Sequence, residues 1–155
     1  WVWTHRFLSD RLRSHLMWWL NAKFAAGVTA VIVDDQRRVL FLEHAFRNRF
    51  PWALPGGWMS RGESPEDAIV REVREETSLE VEVVDVLSAT TFSLPRLDIV
   101  YLCRVRGGTV RGSAETPRWK WCPVGQYPPG ADPYSIELVE LSQPEWIARN
   151  SSRFS

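Results

Sequence analysis

The sequence predicts a single α/β domain, in which the strands of a mixed sheet alternate around one central helix and further helices lie near the two ends. Two observations carry that prediction. Short apolar runs bounded by turn residues recur on both sides of residues 65–77, and that stretch itself combines helix start signals with a helical apolar period. At 155 residues the chain suits one domain with its own core, and 45% hydrophobic with 25% charged content is ordinary for a globular protein.

The first 24 residues read as helical from about Ser9, because Leu8, Leu12, Leu16, Trp19 and Leu20 recur at helical spacing among Arg6, Arg11, Arg13 and Lys23. Such a helix packs on the domain or on a second copy of the chain, giving a homodimer. The alternative for residues 1–24, raised by their Trp and Arg content, is a helix lying on a membrane surface. Gly27–Val33 (GVTAVIV) reads as a buried strand, Asp34–Asp35 as a turn, and Arg38–Glu43 (RVLFLE) as the second strand of a hairpin. A loop over 45–50 carries Arg47 and Arg49, and residues 52–55 lead into Gly56–Gly57. Ser64 is a good N-cap for the central helix, Pro65 suits its first position, and Asp67 completes a capping box. Ile69, Val70 and Val73 form its core-facing stripe. Beyond it, Glu80–Leu87 (EVEVVDVL) alternates like a strand and Leu97–Val105 (LDIVYLCRV) is another. Gly107, Gly108 and Gly112 punctuate a loop, and residues 116–124 place Trp119 and Trp121 on one face of a strand. Pro123, Pro128, Pro129, Gly130 and Pro133 break the chain before a short helix over Ser135–Leu141.

The chemistry concentrates in Gly57–Leu79, GWMSRGESPEDAIVREVREETSL. Gly57, Glu63, Arg71, Glu72, Glu75 and Glu76 hold fixed spacings there, with apolar Val73 and Leu79. At about 6% usage per residue type, such a match arises by chance about once in 10⁷ start positions, so the spacing is informative. Glu72, Glu75 and Glu76 fall within roughly 100° of one another on the helix. Like charges at that spacing cost a few tenths of a kcal/mol each, a cost that a cation removes. Hard oxygen ligands in this number suit Mg²⁺ or Mn²⁺, which take the rest of their shell from water and substrate phosphates. Arg71 lies four residues before Glu75, close enough to pair with it and orient it. Gly56–Gly57, after Pro55, gives a turn where backbone can approach an ion closely.

The pattern resembles the Nudix box, with which Nudix hydrolases hold divalent metals against a diphosphate; Ser78 stands where the family pattern has glycine. The resemblance covers residues 26–142, between an N-terminal helical extension at 1–25 and a C-terminal tail at 143–155. It implies an α/β/α sandwich and a MutT-like pyrophosphatase that cleaves the diphosphate of a nucleoside diphosphate linked to another moiety. ADP-ribose-like or sugar-nucleotide substrates are favoured, with nucleoside triphosphates a further class. It implies metal ligation by Glu72, Glu75, Glu76 and the Gly56 carbonyl, and support of Glu63 by Arg71. ETPRWKWCPVGQYP is similar to a late family stretch and places Glu115 where a fourth acid approaches the metal; Glu72 or Glu115 is then the candidate base. The catalytic set is Glu72, Glu75, Glu115 and Arg71. Arg47, Arg49 and Trp58 are candidates for substrate contact, and Phe92, Tyr101 and Trp119 are further aromatics able to stack on a base. Pro95 lies where a proline is associated with ADP-ribose pyrophosphatases. The alternative is a catalytically silent Nudix domain that binds a nucleotide and regulates a partner. A left-handed serine at 78 costs about 1 kcal/mol and removes no ligand.

Composition narrows the partners. Net charge is zero, from 19 basic and 19 acidic residues, without a long basic stripe, so no general nucleic-acid binding is expected. No apolar run approaches the ~18 residues of a membrane-spanning helix. No signal peptide is expected, and the protein is placed in the cytoplasm. Cys103 and Cys122 match no zinc spacing and read as buried thiols. Of His5, His15 and His44, only His44 follows a strand closely enough to reach the site.

Overall fold

A computed structural model describes residues 10–20, 24–91 and 95–151. In chain order these form α1 (Asp10–Leu20), β1 (Ala25–Val33), β2 (Arg38–Glu43), β3 (Trp52–Ala53), β4 (Gly56–Trp58), α2 (Pro65–Thr77), β5 (Leu79–Thr91), β6 (Arg96–Gly108), β7 (Arg118–Pro123) and α3 (Pro133–Ser151). The strands build one mixed sheet of order β3-β2-β1-β6-β5, with β4 paired to β1 and β7 to β2. β1 and β6 run parallel from Ala25↔Arg96 to Val33↔Arg104, and the other pairings are antiparallel.

The alternation of strand side chains divides the core in two. Val28, Ala30 and Ile32 of β1 pack with Tyr101, Cys103 and the α2 residues Ala68, Ile69 and Val73. Val31 and Val33 point the other way, onto Phe41, Val100, Leu102 and the α3 residues Leu138 and Val139. The sheet is thus the middle layer of an α/β/α sandwich. Both cysteines are free and buried, as their spacing predicted.

Several boundaries differ from those expected. β5 and β6 outrun 80–87 and 97–105: at one end Gly107 and Gly108 pair with Glu80 and Leu79 where a loop was expected, and at the other Ser88 to Thr91 pair with Val100 to Leu97. α3 begins at Pro133, since Asp132 is its cap: the Asp132 carboxylate accepts from the Ser135 N–H at 3.1 Å and from Ser135 Oγ at 2.9 Å. Val70 is not part of the α2 core stripe. It stands 36% exposed while Thr77, in line with Ile69 and Val73, is buried, its Oγ1 donating to the Val73 carbonyl at 2.5 Å. On α1, Leu16, Met17 and Leu20 are exposed in the single chain. Residues 1–9, on which part of the helical and membrane-surface reading rested, lie outside the described residues, as does Phe92. No helix among the described residues is long and apolar enough to cross a membrane.

Candidate active site

α2 positions the acids because its opposite face is fixed. Ser64 is its N-cap at φ −76°, ψ 157°, accepting from the Asp67 N–H. Its hydroxyl donates to the Asp67 carboxylate at 2.8 Å, so Asp67 closes the box through the side chain of Ser64. With Ile69 and Val73 sealed against β1, the edge bearing Glu72 and Glu76 meets β4. The Gly56 N–H donates to Glu76 Oε2 at 3.0 Å. The Glu72 carboxylate lies over Gly57: a Cβ there would stand 2.5 Å from both of its oxygens. At Gly56 a Cβ would collide with the Val28 carbonyl of β1. The two glycines therefore let β4 sit between β1 and the acids.

Arg71 gathers the remaining acids. It forks onto Glu63, Nε to Oε2 at 3.0 Å and Nη2 to Oε1 at 2.8 Å. Nη1 reaches Glu72 Oε1 at 2.8 Å and, more weakly, Glu75 Oε2 at 3.4 Å. Nη2 also donates to the Trp58 carbonyl at 3.1 Å, tying α2 to β4. The Arg71 guanidinium, with the Ser60 N–H behind it, holds the Glu63 carboxyl down at about 2. The two roles open for Arg71 in the sequence are both present, and the fork onto Glu63 is the stronger because it is bidentate and shorter.

The C-terminal end of α2 brings in the fourth acid. Ser78 takes the left-handed conformation, φ 61° and ψ 13°, and its N–H donates to the Arg74 carbonyl. The helix end is kept although the residue is not glycine. Loop 111–116 then docks on it: the Arg111 N–H donates to the Thr77 carbonyl at 2.8 Å and Thr116 Oγ1 to the Glu76 carbonyl at 3.0 Å. Glu115 is thereby placed beside Glu76 at a cavity of about 690 Å³. Burial pushes the Glu76 carboxyl up to about 7, with Glu72 and Glu115 raising it further against the Gly56 N–H and Arg47.

The same cavity is lined by Gly56, Gly57, Glu72, Glu75, Arg47 and Trp58, all expected at the site from the sequence. His44 lines it too, and burial, followed by the charge of Arg47, pulls its imidazole down to about 4. Arg49 is elsewhere, its guanidinium 5.3 Å from the Phe50 ring. Tyr101 is a core residue at 1% exposure. Trp119 is exposed on β7 away from the cavity. Arg96 and Thr29 belong to the site without any signal in the box: Thr29 comes from β1, which pairs with β4, and Arg96 from β6 on the far side of β1, and strand pairing alone brings them in.

Among the described residues no three His, Cys, Asp or Glu side chains close on one point; Arg71 binds Glu72 at 2.8 Å and Glu75 at 3.4 Å. The donor chemistry nonetheless fits a divalent cation. The oxygens are hard, Glu76 is half-buried with two acids pressing on it, and a cation among them relieves that repulsion.

The comparisons agree with this geometry. The NUDIX domain matches residues 23–141. A MutT-like protein of Streptomyces ambofaciens is 32% identical over 119 residues, covering 75% of this chain and 75% of that one. The human 8-oxo-dGDP phosphatase NUDT18 is 35% identical over 121 residues, which is 74% of this chain and 38% of the human protein. The solved structure of an ADP-ribose pyrophosphatase from Streptococcus suis 89-1591 superposes with a TM-score of 0.63 at 25% identity, over 77% of this chain and 92% of that chain. With the six fixed residues of the box in place and the sheet, helices and cavity arranged as described, the chain belongs to the Nudix hydrolase family.

Proposed function

We propose that the protein is a Mg²⁺- or Mn²⁺-dependent pyrophosphohydrolase acting on a nucleoside diphosphate linked to another moiety, ADP-ribose-like or sugar-nucleotide substrates ahead of nucleoside triphosphates. The observation that carries this is Glu76: a half-buried carboxylate beside Glu72 and Glu115, opening on a cavity able to take a nucleotide. Retention of every box acid favours hydrolysis over silent binding. Glu72, Glu75 and Glu76, with the Gly56 carbonyl, would hold the cation, which when bound neutralises the diphosphate and activates water. Arg71 holds the orientation of Glu72 and Glu63. Arg47, on the cavity wall, faces the phosphates, and Glu115 or Glu72 accepts the proton of the attacking water. Two free buried thiols support a reducing compartment, the cytoplasm.

The test is product release from a panel of ADP-ribose, sugar nucleotides, nucleoside diphosphates and triphosphates with Mg²⁺ or Mn²⁺, with Glu76→Gln as control. Turnover of one class that is lost in the variant supports the reading. A flat panel with measurable nucleotide binding would transfer the protein to the silent class.

A further inference from the structure

Arg96 is held in a way that the hydrolytic machinery does not require. It belongs to β6, yet its guanidinium carbon stands 4.8 Å from the centre of the Trp58 ring in β4, with β1 lying between the two strands. The residue of β1 opposite Trp58 is Gly27, and opposite Gly27 in β6 is Asp98. A Cβ at Gly27 would stand 3.1 Å from Asp98 Oδ1, 3.2 Å from Arg96 Nη2 and 3.3 Å from Arg96 Nε, so the guanidinium crosses β1 where side-chain bulk is missing. Its far end is anchored. Asp98 is fully buried and accepts from Arg96 Nη2 at 3.1 Å, Thr29 Oγ1 at 3.2 Å and the Tyr134 hydroxyl at 3.1 Å.

The result is a stack of Gly27 backbone, guanidinium and indole. Arg96 covers one face of the Trp58 ring, yet Trp58 remains 53% exposed and lines the cavity. The Arg96 charge is already balanced by Asp98, so its contribution is the fixed position of the ring rather than a clamp on phosphate. Trp58 follows Gly57, the residue over which the Glu72 carboxylate lies, and it lines the same cavity as that carboxylate. A planar group joined through a sugar to a diphosphate held at that acid edge falls within reach of it.

We propose that the open face of Trp58, fixed from behind by Arg96, is the platform on which the nucleobase of the substrate stacks, with Arg96 a positioning residue. The inference rests on the nucleoside diphosphate reading above. Stacking on an aromatic face tolerates any base and favours purines through their larger overlap.

The experiment is calorimetric binding, in Mg²⁺, of α,β-methylene-ADP and of ribose 5-(α,β-methylene)diphosphate, which keeps sugar and diphosphate but lacks the base. The native chain is expected to prefer the nucleotide by about 10-fold, and Trp58→Leu to erase that preference while still binding the base-free ligand. Arg96→Met and Gly27→Ala are expected to reduce the preference by smaller factors, and to raise KM for a nucleotide substrate without lowering kcat. Gly27→Ala leaves the guanidinium and the indole themselves unaltered and displaces only the seat of the guanidinium, and with Arg96→Met it carries the test should Trp58→Leu fail to fold. A preference absent from the native chain, or unchanged in all three variants, overturns the platform. Failure of the native chain to bind either ligand overturns the nucleoside diphosphate reading itself.

Discussion

Two turns bracket the box, and they tolerate substitution very differently. At Gly56–Gly57, strand β4 is pressed between β1 and the acids: a Cβ on Gly57 would stand 2.5 Å from both Glu72 oxygens, and one on Gly56 would strike the Val28 carbonyl. At position 78, where the family pattern has glycine, serine adopts φ 61° and the helix still closes by its bond to Arg74. The first turn needs glycine because there is no room. The second needs it only for conformational ease, which a non-glycine residue meets at a cost of about 1 kcal/mol. Departure from the family pattern at 78 therefore leaves the acids in place, whereas a methyl group at 57 displaces one.

The largest expected effect is at that first turn. Gly57→Ala should cut kcat/KM by about 100-fold, because a misplacement of about 1 Å at a reacting group is worth that much. Its melting temperature should change little, since the group that must move is the end of a flexible side chain. Steady-state hydrolysis alongside a thermal melt checks both halves. A variant of native activity would show that the Glu72 position over Gly57 is incidental. Next in size is Arg71→Met, which leaves Glu63 and Glu72 without their shared partner; a loss of about 10- to 100-fold in activity or metal affinity is expected.

A smaller effect should appear in the pH dependence of stability. Burial, and then the charge of Arg47, pull the His44 imidazole on the cavity wall from its ordinary 6.5 down to about 4. Because its folded value is the lower one, the unfolded chain takes up the proton first. Stability is fully present above pH about 6.5 and falls as pH drops toward 4, by roughly 2 kcal/mol after allowance for partial exposure. Urea midpoints at pH 7.5 and 4.5 should differ more in the native chain than in His44→Gln. The smallest effect belongs to the second turn: Ser78→Gly should add about 1 kcal/mol of stability and leave kcat unchanged. A rise in kcat would mean that serine disturbs Glu76 after all.

The same contrast explains what was legible in the sequence. α2, its cap and its acid edge depend on residues within a few turns of one another, and helical periodicity displays them directly. Glu115 was visible only as part of a late stretch; what places it is a set of bonds between loop 111–116 and the end of α2, contacts some 40 positions apart in the chain. Arg96 carries no motif at all. It enters the site because β6 pairs in parallel with β1 and Gly27 leaves a gap between them, facts of register that local pattern does not contain. Val70 was misplaced for a related reason: periodicity marks an apolar stripe, but the sheet beneath covers Ala68 and the line of Ile69, Val73 and Thr77, and leaves Val70 at its edge.

The most direct test of the account is a calorimetric titration of the metal-free chain with Mn²⁺, native against Glu76→Gln. Saturable binding to the native chain, abolished or greatly weakened in the variant, is expected. Equal binding by both, or none by the native chain under conditions where it is folded, would contradict the assignment of Glu72, Glu75 and Glu76 as a cation site.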